Sequence, residues 1–254
     1  MRWKGKFKEY YKDKLVFKGD YLDGEIWSGR GRKYNYEGNI QFEGEYVNGK
    51  MNGIKIQYYY GSNFKIEEGY INGLRNGYRK VFYNKINLKS DEQYLNGKLN
   101  GNSKEYNLEG ELIFEGNYAK GEKNGIGKEY LDNQIIFEGE YINNKRWNGQ
   151  GKEFNNDILF YEGGYLNGEK NGKAKVYFDN GNLLFEGEYL NGKWNGNGIE
   201  YYKNGNIKYK GEYLDGKYNG KGIEYYQNGK IKYNGEFSNG KQIKKKNKKS
   251  KKAK

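Results

Sequence analysis

The stretch Phe185-Glu-Gly-Glu-Tyr189-Leu-Asn-Gly192-Lys-Trp-Asn-Gly196-Asn-Gly198-Ile-Glu-Tyr201-Tyr202-Lys-Asn-Gly205 is the clearest copy of a motif that fills the chain. One of its glycines recurs as Gly5, Gly29, Gly53, Gly77, Gly101, Gly125, Gly149, Gly172, Gly196 and Gly220, in steps of 24 residues with a single step of 23. A fixed period of this size is the mark of an array of small identical units, each packing on its neighbours, rather than of a globule around one enclosed core.

Composition supports that reading. Hydrophobic residues make up only 34% of the 254, and 29 of the residues are tyrosine and 40 glycine, so a deep aliphatic core is out of reach. Rings lying over bare backbone are the alternative. Low hydrophobicity with many charges is also the signature of disorder, but the strict period and the 18% aromatic content argue against it. The chain has no cysteine and no histidine, which removes disulfides, thiolate metal sites, the commonest metal ligand and the usual general base near neutral pH. No cofactor is expected. No apolar run reaches the roughly 20 residues that span a bilayer, and Met1-Arg2-Trp3-Lys4 opens into a repeat without a signal-peptide pattern. The expectation is a cytoplasmic protein, peripheral to a membrane or cortex if its tail binds lipid.

The charge divides the chain into an array, residues 1–240, and a Lys-rich tail, residues 241–254, expected to be disordered. The tail KQIKKKNKKSKKAK holds nine lysines and no acid, which leaves 37 basic and 33 acidic residues for the rest of a chain whose net charge is +13. The array is nearly neutral; the tail is the positive patch.

Within one unit, Gly198–Tyr202 and Ile207–Tyr213 flank Asn204-Gly205. Asn-Gly between two β-prone runs predicts a two-residue hairpin loop, since both residues tolerate positive φ. Asn180-Gly181 and Asn228-Gly229 read the same way, with Glu37-Gly38 and Glu109-Gly110 as looser versions. Pairing outward sets Tyr202 opposite Ile207, Glu200 opposite Tyr209, Gly198 opposite Gly211 and Gly196 opposite Tyr213. One face then carries glycines under aromatic rings, closed by the series Tyr21, Tyr46, Tyr70, Tyr94, Tyr118, Tyr141, Tyr165, Tyr189, Tyr213 and Phe237.

The other face carries Tyr10, Tyr34, Tyr58, Phe82, Tyr106, Tyr130, Phe154, Tyr177, Tyr201 and Tyr225 beside a basic row of Lys8, Arg32, Lys80, Lys104, Lys128, Lys152 and Lys175. Basic residues interleaved with aromatics could line a nucleic-acid groove. The predicted partners argue for a structural row instead: Arg32–Glu43, Lys80–Asp91, Lys104–Glu115, Lys128–Glu138, Lys152–Glu162 and Lys175–Glu186. Each opposite-charge pair across strands contributes roughly 0.2–1 kcal/mol. Lys8 opposite Lys18 and Ile56 opposite Glu67 break the rule.

These blocks, Tyr/Phe-x-Gly-Glu-Tyr, then Asn-Gly-Lys, then Gly-x-Gly with an aromatic three residues on, closely resemble the MORN repeat (membrane occupation and recognition nexus), over residues 3–240 and in about ten copies. The resemblance implies an all-β, elongated single-layer antiparallel sheet of about ten stacked hairpins forming a groove, a scaffold or adaptor role, frequent homodimerisation, and association with phosphoinositide membranes. Some family members carry a kinase or methyltransferase domain elsewhere; no such domain fits here. The chain departs from the pattern at Glu68 and Glu92, in place of the first block's glycine, and at Lys55 and Arg79, in place of the second glycine of Gly-x-Gly. Irregular geometry is expected from about residue 53 to 95. Trp27 and Trp147 each accompany one extra residue before the second glycine, which predicts bulged or longer inter-repeat loops.

No unit breaks the pattern to form a catalytic pair. Asp132 and Asp157 fall in hairpin loops, where Asp is at home, and the Gly-x-Gly pairs lack the helix a phosphate loop needs. The reading is a non-enzymatic scaffold that presents a β-groove to a protein partner, such as a helical segment, with Tyr177, Tyr201, Tyr202, Tyr225 and Tyr226 as candidate contacts. Homodimerisation is expected at a sheet edge, since the last strand, Ile231–Phe237, is less guarded than a first strand bearing Lys4, Lys6 and Lys8. The alternative is a peripheral membrane protein that binds acidic phospholipids through Lys244, Lys245, Lys246, Lys248, Lys249, Lys251 and Lys252, each worth about 1 kcal/mol near an anionic leaflet. The same lysines also fit a nuclear localisation signal, a nucleic-acid arm or a solubilising end; a nucleic-acid partner for the array is disfavoured.

Overall fold

The computed structural model describes residues 4–244. These form 23 strands and no helix. The chain divides into two compact units, Met1–Ile135 with Tyr141–Lys145, and Ile136–Glu140 with Arg146–Lys254. Each is a stack of antiparallel hairpins. The second unit pairs Lys145–Asn155 with Ile158–Leu166, Glu169–Tyr177 with Leu183–Leu190, Lys193–Tyr201 with Ile207–Leu214, and Lys217–Tyr225 with Ile231–Ser238. The first opens with Lys4–Tyr11 against Lys14–Leu22 and continues in the same way.

The expected register holds at Gly196↔Tyr213, Gly198↔Gly211 and Glu200↔Tyr209. It departs at the loop end, where Tyr201, not Tyr202, pairs with Ile207 across a bulge. The two-residue Asn-Gly loop is therefore corrected. The Tyr202 N–H donates to Asn206 O at 2.8 Å and Gly205 N–H to Tyr202 O at 2.8 Å, so the loop is Lys203-Asn204-Gly205. Only Gly205 has positive φ, +87°. This is a tight turn followed by one left-handed residue, the usual three-residue hairpin. The loops at Gly38, Gly110, Gly181 and Gly229 share its hydrogen bonds. True two-residue turns, with both φ positive, lie elsewhere: between repeats at Asn191-Gly192 and Asp215-Gly216, and within repeats at Asp132-Asn133 and Asn156-Asp157. Each between-repeat turn also bonds to the previous repeat, as Gly192 N–H does to Lys170 O at 2.9 Å and Gly216 N–H to Trp194 O at 2.8 Å.

The core is a three-part module on the glycine face. Phe185 lies across Gly187 and Gly198, the closing Tyr213 meets its edge at 5.4 Å, and Trp194 from the next strand stacks flat on it at 4.1 Å. Phe185 is completely buried as a result. One repeat on, Tyr209 takes the place of Phe185 and Tyr218 lids it at 3.8 Å. Earlier repeats use cations as lids: Lys170 over Tyr161 at 4.0 Å, Arg146 over Phe137 at 4.8 Å, and, in the first unit, Lys123 over Phe114 at 3.5 Å. Burying such a ring is worth about 1.5–3 kcal/mol, and the edge contacts and cation lids add a fraction more each. A single layer thus acquires a core without a second sheet.

The irregular stretch expected at residues 53–95 keeps its ladder. Lys55, Glu68, Arg79 and Glu92 stand opposite one another on successive strands, where other repeats have glycine. The rings that would have covered those glycines are replaced by Ile66 and Ser90. Long charged side chains fill the vacated space: Glu68, nearly fully buried, accepts Arg75 Nε at 2.6 Å and Lys55 Nζ at 3.2 Å, and Arg79 Nη1 reaches Glu92 at 2.8 Å. The predicted bulge at Trp27 is present, with Tyr21↔Ile26 and Asp20↔Ser28 paired around it. Ordinary repeats skip two residues there, as between Glu188↔Asn195 and Gly187↔Gly198.

Candidate binding face

The face opposite the glycines carries the charged row, and alternation along each strand puts it there: Glu186, Glu188 and Leu190 point away from Phe185, Gly187 and Tyr189. Pairing follows the expectation at Arg32↔Glu43, Lys80↔Asp91, Lys104↔Glu115, Lys152↔Glu162 and Lys175↔Glu186. Ion pairs close at 3.1 Å for Arg32–Glu43, 3.5 Å for Lys80–Asp91 and 3.4 Å for Lys104–Glu115. Lys175 turns to its other neighbour, Glu162, at 3.7 Å. Lys175 has Glu162 on one flank and Glu186 on the other, so its side chain can choose.

The aromatic series beside the row is tied into it. Tyr130 donates to Glu115, Tyr177 to Glu162 and Tyr201 to Glu186, each at 2.6 Å. The Tyr130 hydroxyl, with Lys104, holds the Glu115 carboxyl below its usual range against the opposing effect of burial. Burial and the Glu186 hydrogen bond push the Tyr201 phenol up to about 12, and burial and Glu162 raise Tyr177 in the same direction.

Of the predicted contact tyrosines, Tyr177, Tyr201, Tyr202 and Tyr225 are half-buried, and Tyr202 donates to Tyr225 O at 2.8 Å. Tyr226 is 51% exposed on the final loop. The five lie in the second unit on consecutive hairpins. Lys244 is exposed; Lys245, Lys246, Lys248, Lys249, Lys251 and Lys252 lie outside the described residues.

Two features of this face were not singled out from the sequence. The residue after six of the closing aromatics is aliphatic and projects into solvent: Val47, Ile71 and Leu95 in the first unit, and Leu166, Leu190 and Leu214 in the second, all between 45% and 51% exposed. The 24-residue period signals them, but a solitary aliphatic residue before a turn draws no notice until the register places it. The second feature is a depression of about 380 Å³ in the first unit. Its walls are Asp91, Gln93, Asn102, Lys104, Glu115 and Asn117, with the backbone of Gly116 and Gly127 as floor and Ile126 at one side. Charges are matched there and Asn117 already donates to Asn102 at 2.8 Å, so the hollow is polar without being strongly charged.

Among the described residues no group of three acidic side chains is disposed to hold a metal ion, and no helix is long and apolar enough to cross a membrane. Among curated proteins, none matches the chain. The MORN repeat family model matches it at residues 42–54, 114–134, 161–183, 185–207 and 209–231. Those segments coincide with the hairpins whose rings, glycines and turns are described above, and on that match the chain carries MORN repeats at these five segments.

Proposed function

We propose that this protein is a non-enzymatic scaffold that binds a protein partner through the charged face of its hairpin units. The observation that carries the proposal is the exposed aliphatic residue that every matched hairpin of the second unit sets on that face: Leu166, Leu190 and Leu214. Monomeric proteins scatter single exposed apolar residues, but a repeated apolar position rimmed by neutralised charge is the composition of a recognition surface. The half-buried Tyr225, in line with Tyr177 and Tyr201 on that face, supplies the kind of side chain that anchors interfaces.

A second reading rests on the tail, whose nine lysines between residues 241 and 254 favour acidic lipid. The two separate in one experiment. The intact chain, a chain lacking 244–254, and a Leu166→Ser/Leu190→Ser/Leu214→Ser variant are each used for affinity capture and for flotation with phosphoinositide-containing vesicles. The scaffold reading expects the same captured protein with and without the tail, and loss with the triple variant. Capture that survives the triple variant and disappears with the tail would overturn it. The lipid reading stands or falls on whether flotation requires the tail and weakens with salt.

A further inference from the structure

Asn-Gly recurs throughout this chain, and in most turns the glycine N–H is held by a main-chain carbonyl. Gly192 donates to Lys170 O at 2.9 Å, and Gly205 to Tyr202 O at 2.8 Å. Asn195-Gly196 is arranged differently. The Gly196 N–H donates to Oδ1 of its own predecessor, Asn195, at 2.8 Å. Asn195 is paired with Glu188 at the edge of the two-residue bulge that ends at Gly187↔Gly198, and Gly196 is the first residue of that bulge, paired on its other side with Tyr213. Gly196 has φ +68°, and both residues are half-buried.

We propose that Asn195 is a site of spontaneous amide loss in the folded protein. The main-chain nitrogen of Gly196 faces the oxygen on Asn195 Cγ and so stands within reach of that carbon, the near-attack arrangement that turns a rare encounter into a resident one. The Gly196 nitrogen gives up its proton to solvent base and bonds to Cγ. The bond from Cγ to the side-chain nitrogen breaks, and ammonia leaves. Water opens the resulting cyclic imide on one side or the other, giving aspartate or isoaspartate at position 195. One water is consumed and one ammonia released, with no oxidant or cofactor.

The product alters the inter-repeat junction. Glu188 is the cross-strand partner of Asn195, and its Oε2 lies 2.5 Å from the point a Cβ on Gly196 would occupy. A carboxylate created at 195 therefore stands beside one already there, and like charges opposite each other on adjacent strands repel. The isoaspartate product also lengthens the main chain within the bulge. Either change loosens the contact between Leu183–Leu190 and Lys193–Tyr201.

The test is peptide mapping by mass spectrometry of the full chain incubated at mildly alkaline pH, following conversion of Asn191, Asn195 and Asn204 in one sample. Conversion at Asn195 is expected to run several-fold ahead of the other two when the protein is folded, and to fall level with them in concentrated denaturant. Conversion at Asn195 no faster than at the other two in the folded protein would overturn the proposal. So would a lead that persists unchanged in denaturant, since the cause would then be local sequence. An Asn195→Asp variant checks the consequence independently of the rate: a lower melting temperature, restored by Glu188→Gln, is expected, and a melting temperature unaffected by either substitution would overturn the junction argument.

Discussion

Gly196 and Gly198 are two residues apart and are held to glycine by different forces. Gly196 adopts φ +68°, where a side chain is strained; Gly198 has an ordinary backbone but no room, because a Cβ there would stand 2.6 Å from the Phe185 ring and 3.2 Å from Tyr213. Gly198→Val should therefore cost about 3 kcal/mol or more, at or beyond the upper end of ordinary overpacking. Glu212→Gln, on the opposite exposed face, should stay within about 0.5 kcal/mol, since the amide oxygen can still accept the Lys221 N–H. Denaturant unfolding of the two variants checks this; equal midpoints would reverse the assignment of faces. Where rings give way to charges the balance changes. Burial acts to raise the Glu68 carboxyl, but Arg75 and Lys55 outweigh it and hold it below its usual range. Its contribution is thus fully present above the unfolded carboxylate range and is lost as pH falls through the folded value. Glu68→Gln leaves Arg75, Lys55 and Arg79 facing an uncharged group; because Arg75 is 43% exposed and can turn to water, the cost should be about 1–3 kcal/mol, below that of a wholly buried pair. Urea titrations at neutral and acid pH should show the gap between wild type and variant narrowing as pH falls.

At the scale of the hairpin, two kinds of turn close the same strands. The loop at Gly205 needs one left-handed residue and the turn at Asn191-Gly192 needs two. No atom lies within 4 Å of a Cβ built on Gly205, so Gly205→Ala should cost only the left-handed strain of one residue, about 1–2 kcal/mol. Asn204→Ala, at a position of negative φ, should cost less. The reverse order, measured by thermal unfolding, would restore a two-residue loop. This element also shows what the sequence could and could not reveal. The register from Gly196 to Glu200 was legible because period two places ring over glycine in only one way. The loop was misjudged because Asn-Gly serves both turn types, and only the bulge at Tyr201, a backbone event with no residue signature, separates them. The lids were hidden for another reason: Lys170, Arg146, Trp194 and Tyr218 share a position but no chemistry, so a motif search passes over them, although each lies flat on a ring. The charged column Lys55, Glu68, Arg79 and Glu92 was visible as a departure. That it compensates for Ile66 and Ser90 required knowing that all six occupy one face. The exposed leucines were periodic in the sequence, but their importance for a binding face depends on solvent exposure that only the register decides.

For the whole molecule, the absence of histidine and cysteine leaves no side chain with an ordinary titration between roughly pH 5 and 8. Tyrosine, by contrast, is everywhere, and burial raises the phenols packed into the modules. Burial, then hydrogen bonding to Glu9, pushes the Tyr21 phenol up to about 12 in the first unit; burial with Glu186 does the same for Tyr201 in the second, and burial with the Glu212 charge for Tyr209. Tyr118, Tyr165, Tyr213 and Tyr218 are raised as well, burial first in each case. A folded phenol that titrates above its unfolded value holds its proton longer in the native state, so its stabilisation is complete below the unfolded value, near 10, and is lost as pH rises through the folded one. The melting temperature should therefore change little from about pH 6 to 9 and fall steeply above about pH 10. The phenolate absorbance of the buried rings should appear together with unfolding rather than ahead of it. Ring, glycine and glutamate are cooperative parts of one module: ionising Tyr201 or Tyr165 sets a second negative charge against Glu186 or Glu153, and the strand pair must open to relieve it. If all of the phenolate absorbance formed near pH 10 with the melting temperature unchanged, these rings would reach solvent in the native state, and the module that replaces a core in each unit would have to be redrawn.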